Sequence, residues 1–175
     1  MEFTVRRART SDVRAIRMLV DANADSGRLL GKDTVTLYED VPEFWVAEED
    51  PDGVIVGCGA LHVMWEDLAE IRTIAVADSC QGNGVGQAIV EALLAAARQL
   101  GVRRVFVLTF ATTFFERRGF REIKGTPVSP EVYAELLRSY DEGVAEFLDL
   151  DRVKPNTLAN TRMLLHLDAP RQGPG

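Results

Sequence analysis

The run of residues from Gln81 to Gly86 constrains this chain more than any other feature of its sequence. Glycines stand at positions 82, 84 and 86, after an apolar stretch at 68–76 and at the start of an apolar stripe with helical spacing. A glycine-rich loop at a helix N-terminus presents unpaired backbone N–H groups, and the helix dipole adds about half a positive charge there. The sequence therefore predicts a strand–loop–helix unit that binds an anion such as a pyrophosphate.

Strand and helix patterns alternate along the rest of the chain. Short alternating or continuous apolar runs predict strands over residues 3–8, 44–48, 54–63, 68–76, 104–109, 120–123 and 162–167. Helical spacing and capping residues predict helices after Thr10, over 84–100, over 114–118 and from Pro130. A turn at 50–53 joins two strands into a hairpin, so the sheet is expected to be mixed. The predicted fold class is α/β, with a central mixed β-sheet and helices on both faces.

The composition argues against several kinds of partner. The 175 residues fit a single domain, predicted over residues 1–168, with a disordered tail over 169–175. The net charge of -7 argues against nucleic acid, and no apolar run is long enough to span a membrane. Two cysteines, Cys58 and Cys80, are too few for a disulfide framework or a thiolate zinc site, so no metal is expected. The sequence contains no export signal, which makes the cytoplasm the expected location.

Two common phosphate-binding motifs do not fit the glycine run. A P-loop needs a lysine and then a serine or threonine after its last glycine, whereas Gln87 and Ala88 follow here. A dinucleotide-binding fingerprint needs an acidic residue near the end of the next strand, but that strand ends at Leu108 and Thr109. A plain turn between a strand and a helix, with incidental glycines, is the alternative without a function.

The pattern that does fit is glutamine or arginine, two residues, glycine, one residue, and then glycine or alanine. Gln81, Gly84 and Gly86 satisfy it, and the run resembles the acetyl-CoA pyrophosphate loop of the GCN5-related N-acetyltransferases. Residues 70–76 look like the fourth strand of that family, and residues 113–120 look like the element after its fifth strand. The resemblance extends from about residue 4 to residue 167.

The resemblance implies an acetyl-CoA-dependent transferase whose fourth and fifth strands splay apart around the pantetheine arm. The implied cofactor contacts come from the fourth strand, the glycine run and one aromatic side chain: Ile74, Ala75, Val76, Gln81, Gly82, Asn83, Gly84, Val85, Gly86 and Phe115. Phe115 stands where the family usually has a tyrosine that protonates the leaving thiolate, so no general acid is assigned. The acceptor is expected to be a small-molecule amine that attacks the thioester directly.

Glu70 is the predicted general base, because the attacking amine must lose a proton and the family often places a base on its fourth strand. The structural alternative is a solvated strand glutamate, and His62 is the second candidate for the base. Arg72 follows Glu70 by two residues, so the two side chains are expected to share a face of the strand. A proton acceptor and a guanidinium that pairs with a carboxylate match an α-amino acid. For Arg72 the structural alternative is a salt bridge between neighbouring strands.

The whole chain also resembles the short, single-domain glutamate N-acetyltransferases, or N-acetylglutamate synthases, of arginine biosynthesis. The segments that carry this resemblance are 36–39, 43–48, 56–62, 106–110, 139–141, 153–156 and 160–164. Glutamate has a second carboxylate that needs a second cation, and Arg162 and Lys154 are the candidates. The long connection over residues 125–160 is expected to close the amino-acid pocket or to form a homodimer contact.

The predicted activity is therefore transfer of an acetyl group from acetyl-CoA to the α-amine of L-glutamate. One alternative is an N-acetyltransferase for another amino acid, such as glutamine, or for a small amine. The other alternative is a non-catalytic module that senses acetyl-CoA.

Overall fold

The structure is a computed structural model that describes residues 1–25, 33–157 and 159–168. Within these ranges the strands are β1 (Phe3–Arg7), β2 (Phe44–Glu49), β3 (Val54–Trp65), β4 (Leu68–Val76), β5 (Arg104–Thr109), β6 (Arg121–Glu122) and β7 (Thr161–His166). The α-helices are α1 (Val13–Asp25), α2 (Thr34–Asp40), α3 (Val85–Leu100), α4 (Thr112–Glu116), α5 (Pro130–Leu136), α6 (Glu142–Phe147) and α7 (Lys154–Thr157). Over the same ranges, no helix is long and apolar enough to cross a membrane.

The seven described strands form one sheet in the order β1-β2-β3-β4-β5-β7-β6. β2 and β3 are antiparallel and form the predicted hairpin, whereas β4 and β5 are parallel. The parallel register covers residues 68–70 and 104–106, although β4 continues to Val76 and β5 to Thr109. The prediction of a mixed sheet with helices on both faces is confirmed.

The predicted elements differ from the observed ones mainly in their ends. β4 has its predicted bounds, and α3 begins one residue later than predicted. α4 lies two residues earlier than predicted, because residues 117–119 form a tight turn in which Gly119 N–H donates to the Glu116 carbonyl. α6 and α7 were not predicted. The predicted tail at 169–175 lies outside the described residues.

Internal contacts group the chain into two compact units, and the first comprises Met1–His62 and Ile71–Ala96. On one face of β3 lies a core cluster of Val13, Ile16, Leu19, Val20, Leu37, Val41, Phe44, Val46, Cys58, Ala60 and Ala75. On the other face, Gly57 and Gly59 allow α3 to approach, since a Cβ on Gly59 would lie 2.7 Å from Ile89 Cγ2. This unit therefore carries α1 on one face of its strands and α3 on the other.

The second unit comprises Val63–Glu70 and Ala97–Gly175. Its core cluster consists of Met64, Leu68, Phe106, Leu136, Val144, Phe147, Leu148 and Leu164. Phe106 of β5 meets Phe147 of α6 edge to face, with ring centroids 5.3 Å apart. In the core of this unit, α6 therefore packs against β5. The single domain expected over residues 1–168 stays a prediction.

Candidate active site

The glycine run forms an exposed loop directly before α3. Gly82 and Gly84 have φ values of 79° and 81°, in the left-handed region that glycine adopts without strain. A Cβ at either position would meet nothing within 4 Å, so it is the backbone conformation, and not close packing, that requires glycine here. Ala88 N–H donates to the Gly84 carbonyl at 3.0 Å, and the N–H groups of residues 85–87 precede that bond. The loop has the geometry of an anion-binding helix start.

Side chains within the run stabilise its path. Gln81 Nε2 donates to Asp78 Oδ1 at 3.0 Å, and Asn83 Nδ2 donates to the Gln81 carbonyl at 3.5 Å. Val85, at the first position of α3, is buried, and Gly86 lies behind it with Val76 Cγ2 at 3.7 Å from its would-be Cβ. The loop is therefore anchored at its start by Asp78 and at its end by the core. Cofactor binding by these residues stays a prediction.

Thr73 interrupts the regular backbone of β4. This buried, β-branched residue has a φ of 59°, a conformation that costs such a residue about 1–3 kcal/mol. After it, Ile74 points towards Gly59 on the α3 face, and Ala75 packs in the core cluster against α1. Backbone strain of this kind concentrates at functional sites, and here it lies just before the segment predicted to contact the pantetheine arm.

Arg72 and His62 share one carboxylate. His62 Nδ1 lies 2.7 Å from Glu43 Oε1, and Arg72 Nη2 donates to Glu43 Oε2 at 3.4 Å. A carboxylate only accepts hydrogen bonds, so the imidazole donates to Glu43 through its Nδ1–H. Arg72 therefore has a salt-bridge partner within the protein, but Glu43 lies in the turn before β2 and not in a neighbouring strand. Glu43 was not among the predicted site residues.

The same cluster shows which face Arg72 occupies. His62 follows Ala60 by two residues in β3, so both side chains lie on the α1 face. Because Arg72 meets the carboxylate that also binds His62, it lies on that face together with Ala75. In a regular strand, residues three apart point to opposite faces. The left-handed backbone of Thr73 interrupts this alternation, so the side chains of Arg72 and Ala75 lie on the same face of the strand.

Glu70 is a buried carboxylate, only 3% exposed, in the part of β4 that pairs with Phe106 of β5. The backbone of α6 lies directly over it, since a Cβ on Gly143 would be 2.1 Å from Glu70 Oε2 and 2.7 Å from Glu70 Cδ. The alternative of a solvated strand glutamate therefore does not describe it. Its role as the general base stays a prediction. Gly143, like Glu43, was not predicted as a site residue, because α6 itself was not predicted from the sequence.

Arg162 is buried, and its guanidinium binds main-chain carbonyls in the second unit. Nε donates to the Glu146 carbonyl at 3.1 Å, and Nη2 donates to the carbonyls of Gly125, at 3.0 Å, and Phe147. Burial lowers the pKa of Arg162, and the nearby carboxylate of Asp149 acts in the opposite direction. These contacts tie β7 to the end of α6. The predicted contact with the substrate side chain stays a prediction.

Lys154 also has a partner within the protein, because its Nζ lies 2.7 Å from Asp149 Oδ1. The connection over residues 125–160 contains α5, α6 and α7 and borders a cavity of about 620 Å³. The cavity is lined by Leu136, Leu137, Arg138, Ser139, Tyr140, Glu142, Ala145, Leu148, Leu150 and Arg152. Closure of an amino-acid pocket by this connection stays a prediction.

Phe115 is buried and packs edge to face against Phe114 and Phe120, with centroids 5.0 and 5.2 Å away. Its predicted contact with the pantetheine arm stays a prediction. Both cysteines are buried, and burial raises the pKa of the Cys58 thiol to about 12. Cys58 is therefore protonated at neutral pH and unsuited to nucleophilic catalysis. In the described part of the chain, no cluster of three or more acidic, histidine or cysteine side chains is placed to hold a metal ion.

The described chain thus combines a glycine loop before a helix, a strained strand residue and a buried carboxylate. The model of the acetyltransferase (GNAT) family matches residues 5–120. The chain belongs to this family. A Mycobacterium tuberculosis (strain H37Rv) protein named amino-acid acetyltransferase is 64% identical over 165 residues, which cover 93% of this chain and 94% of that protein. The predicted recognition of the family and of an acetyltransferase is confirmed.

One further relative and two solved structures are similar to this chain. A Ralstonia nicotianae protein, also named amino-acid acetyltransferase, is 36% identical over 66% of this chain, which matches 26% of its length. A Mycobacterium tuberculosis crystal structure in complex with CoA and NLQ has a TM-score of 0.90 and 63% identity over 94% of this chain and 99% of that one. The N-acetylglutamate synthase of Neisseria gonorrhoeae, complexed with CoA and N-acetyl-glutamate, shares the fold, with a TM-score of 0.75 and 23% identity over 97% of this chain and 36% of that one.

Proposed function

We propose that this acetyltransferase uses acetyl-CoA to acetylate the α-amino group of a small amino acid, and that L-glutamate is its acceptor. The observation that carries the acceptor class is the pair Glu70 and Arg72, two residues apart in β4. A carboxylate that takes a proton and a guanidinium that binds a carboxylate are the two groups that an α-amino acid requires. The name of the relative that is 64% identical over nearly the whole chain supports the same class.

The cofactor role falls to the first unit. The loop over residues 81–86 binds the pyrophosphate through backbone N–H groups at the start of α3. The backbone of Ile74, Ala75 and Val76 binds the pantetheine arm, and an N–H in this segment stabilises the oxyanion that develops on the thioester carbonyl. The strained Thr73 supports this assignment, because it sets the direction of the backbone that follows it.

The chemistry is a direct transfer in a complex of both substrates. Glu70 takes a proton from the ammonium group of the amino acid, and the free amine attacks the carbonyl carbon of the thioester. The new C–N bond forms, the C–S bond breaks, the sulfur leaves as the CoA thiolate, and the second proton that the amine nitrogen loses goes to solvent. No general acid is assigned, because Phe115 has no proton to donate and packs in an aromatic cluster.

Arg72 binds the α-carboxylate of the acceptor in this proposal. A guanidinium has five N–H donors, so pairing with Glu43 does not exhaust its capacity. Glu43 then orients the guanidinium from one side while the substrate approaches from another. His62 shares the carboxylate of Glu43 and stays the second candidate for the base.

Glutamine is the second candidate acceptor, and one observation favours it. The two cations predicted to bind a side-chain carboxylate, Arg162 and Lys154, both have protein partners: main-chain carbonyls and Asp149. An acceptor with a neutral amide side chain does not require a further cation. Glutamate binding through either of these two residues requires that residue to contact both its protein partner and the substrate.

The test is release of CoA from acetyl-CoA by the purified protein, measured with each of the twenty amino acids, a polyamine and a peptide. We expect turnover with glutamate to exceed turnover with every other acceptor. Turnover with glutamine instead would support the proposed reaction and would show that the acceptor is glutamine rather than glutamate. Tight binding of acetyl-CoA without turnover of any acceptor would favour the non-catalytic sensing module. The cytoplasmic location and the homodimer stay predictions.

A further inference from the structure

Gly143 occupies the second position of α6, where its backbone does not require glycine. Its φ is not among the positive values that mark left-handed glycines in the described chain. Glycine destabilises a helix relative to alanine, because it loses more backbone freedom on folding. A glycine at a helical position therefore calls for a packing reason.

The packing reason is the Glu70 carboxylate. An alanine Cβ at position 143 would lie 2.1 Å from Oε2, 2.7 Å from Oε1 and 2.7 Å from Cδ of Glu70. These are the three atoms that the Cβ would meet first, and they form the far end of a flexible side chain. A methyl group here would therefore displace the carboxylate before it displaced the helix. The absence of a side chain at 143 defines where the carboxylate lies.

The helix that carries Gly143 is held at both ends. Asp141 caps its start, with Oδ1 accepting from Val144 N–H at 3.1 Å. Arg162 binds the carbonyls of Glu146 and Phe147 at its end, where a cation also interacts favourably with the helix dipole. Residues 143–147 are all buried. These contacts hold α6 in place where its backbone contacts Glu70.

We propose that α6 positions the general base: Gly143 provides the space for the Glu70 carboxylate, and Arg162 holds the helix in place over it. The proposal rests on the proposed function, in which Glu70 accepts the proton of the amine. It gives Arg162 a positioning role, acting through α6, in place of contact with the side chain of the substrate. A general base must lie within hydrogen-bond reach of its proton, so its position controls turnover more than binding.

The first experiment compares Gly143→Ala, Glu70→Asp and the double variant with the wild-type protein. We expect Gly143→Ala to lower kcat about 10- to 100-fold and to shift the pH profile of kcat, with the KM for acetyl-CoA and the Tm retained. Aspartate is one methylene shorter, so Glu70→Asp in the Gly143→Ala background should raise kcat about 3-fold or more, although it lowers kcat in the wild-type background. The control is Glu91→Ala, at an exposed position of α3 outside the proposed positioning helix, which should leave kcat unchanged.

Wild-type kcat in Gly143→Ala would overturn the proposal. So would a loss of kcat that Glu70→Asp does not relieve. If the wild-type protein acetylates no amine, the proposed function fails, and crystal structures of the wild-type protein and Gly143→Ala then decide the geometry. A displaced Glu70 carboxylate on an unchanged α6 supports the positioning role, and an unmoved carboxylate overturns it.

The second experiment separates the two roles of Arg162 through Arg162→Lys, which keeps the charge but has fewer donors for the three carbonyls. In the positioning role, kcat falls about 10-fold and its pH profile shifts, while the KM for the amino acid changes less than about 2-fold. A raised KM for the amino acid with kcat retained would show a substrate contact and would overturn this part of the proposal.

Discussion

Gly84 and Gly143 each stand at the beginning of a helix, one in the first compact unit and the other in the second. Gly84 has a φ of 81° and open space around it, so only its backbone conformation requires glycine. Gly143 has no such φ, but a Cβ there would collide with Glu70 at 2.1 Å. Gly84 is required by the local conformation of the chain, whereas Gly143 is required by the side chain of Glu70, which lies in a strand far away in the sequence.

The same contrast extends to the regions around the two glycines. The loop over residues 81–86 is held by nearby partners such as Asp78, and its backbone is open to a ligand. The surroundings of Glu70 combine β4, α6 and β7, which lie far apart in the chain. We conclude that the loop proposed to bind the cofactor is built from local contacts, whereas the position of the proposed base depends on tertiary packing.

The largest effect is expected when the proposed base, Glu70, is replaced. Glu70→Gln keeps the size of the side chain but cannot accept a proton, so kcat should fall about 100- to 10,000-fold while acetyl-CoA affinity is retained. Steady-state CoA release and calorimetric titration measure the two quantities. Glu66→Gln, the same change at an exposed position before β4, should have no effect. Full turnover in Glu70→Gln would move the base to His62.

Arg72→Ala tests the acceptor side of the first unit. Loss of a charge-assisted pair with the α-carboxylate should raise the KM for the amino acid about 10- to 100-fold. The KM for acetyl-CoA should stay unchanged, because the loop is not altered. Arg14→Ala removes an exposed arginine of α1 and serves as the control. An unchanged KM for the amino acid would mean that Arg72 serves only its salt bridge with Glu43.

Gly84→Ala tests whether the left-handed backbone conformation at position 84 is needed for acetyl-CoA binding. A left-handed alanine costs about 1 kcal/mol or more, so the KM for acetyl-CoA should rise about 10-fold with kcat retained. Asparagine tolerates this conformation better, and Gly84→Asn should lose less. Gly101→Ala is the matched control, because Gly101 has a φ of 85° and open space but ends α3 far along the chain from the loop. It should lower the Tm without changing the KM for acetyl-CoA.

The smallest effect on activity is expected from Asp12→Asn, in the scaffold of the first unit. Arg6 binds Asp12 with contacts of 2.8 and 3.0 Å, and this guanidinium lowers the pKa of the carboxyl. The pair therefore stabilises the fold above the unfolded-state pKa of about 3.9, and the contribution disappears as the pH falls through the lower folded pKa.

At pH 7, Asp12→Asn should lower the free energy of unfolding by about 1–3 kcal/mol, and the difference from the wild-type protein should shrink towards acidic pH. Urea unfolding over a pH series measures this, with Asp52→Asn in an exposed turn as the control. A changed kcat would contradict the separation between scaffold and site.

Local sequence signals predicted much of this protein. The periodicity of α3, the bounds of β4 and the glycine run are consequences of residues within a few positions of one another, where helix spacing, strand propensity and backbone conformation act. These signals were enough for the fold class and for the resemblance to the acetyltransferase family, which the family match over residues 5–120 confirms.

Tertiary structure decided what the predicted site residues contact. No local rule pairs Arg72 with Glu43, places Arg162 on the carbonyls of α6 or seats Glu70 under Gly143. α6 itself is six residues long and contains a glycine, so its own propensity is too weak to predict it, and its buried face stabilises it only once the core exists. The sequence determined which chemical groups are present and the local shape of the loop over residues 81–86. The long-range packing of strands and helices determined which of those groups are buried and which partners they contact. Such contacts depend on distances in space rather than on separation along the chain.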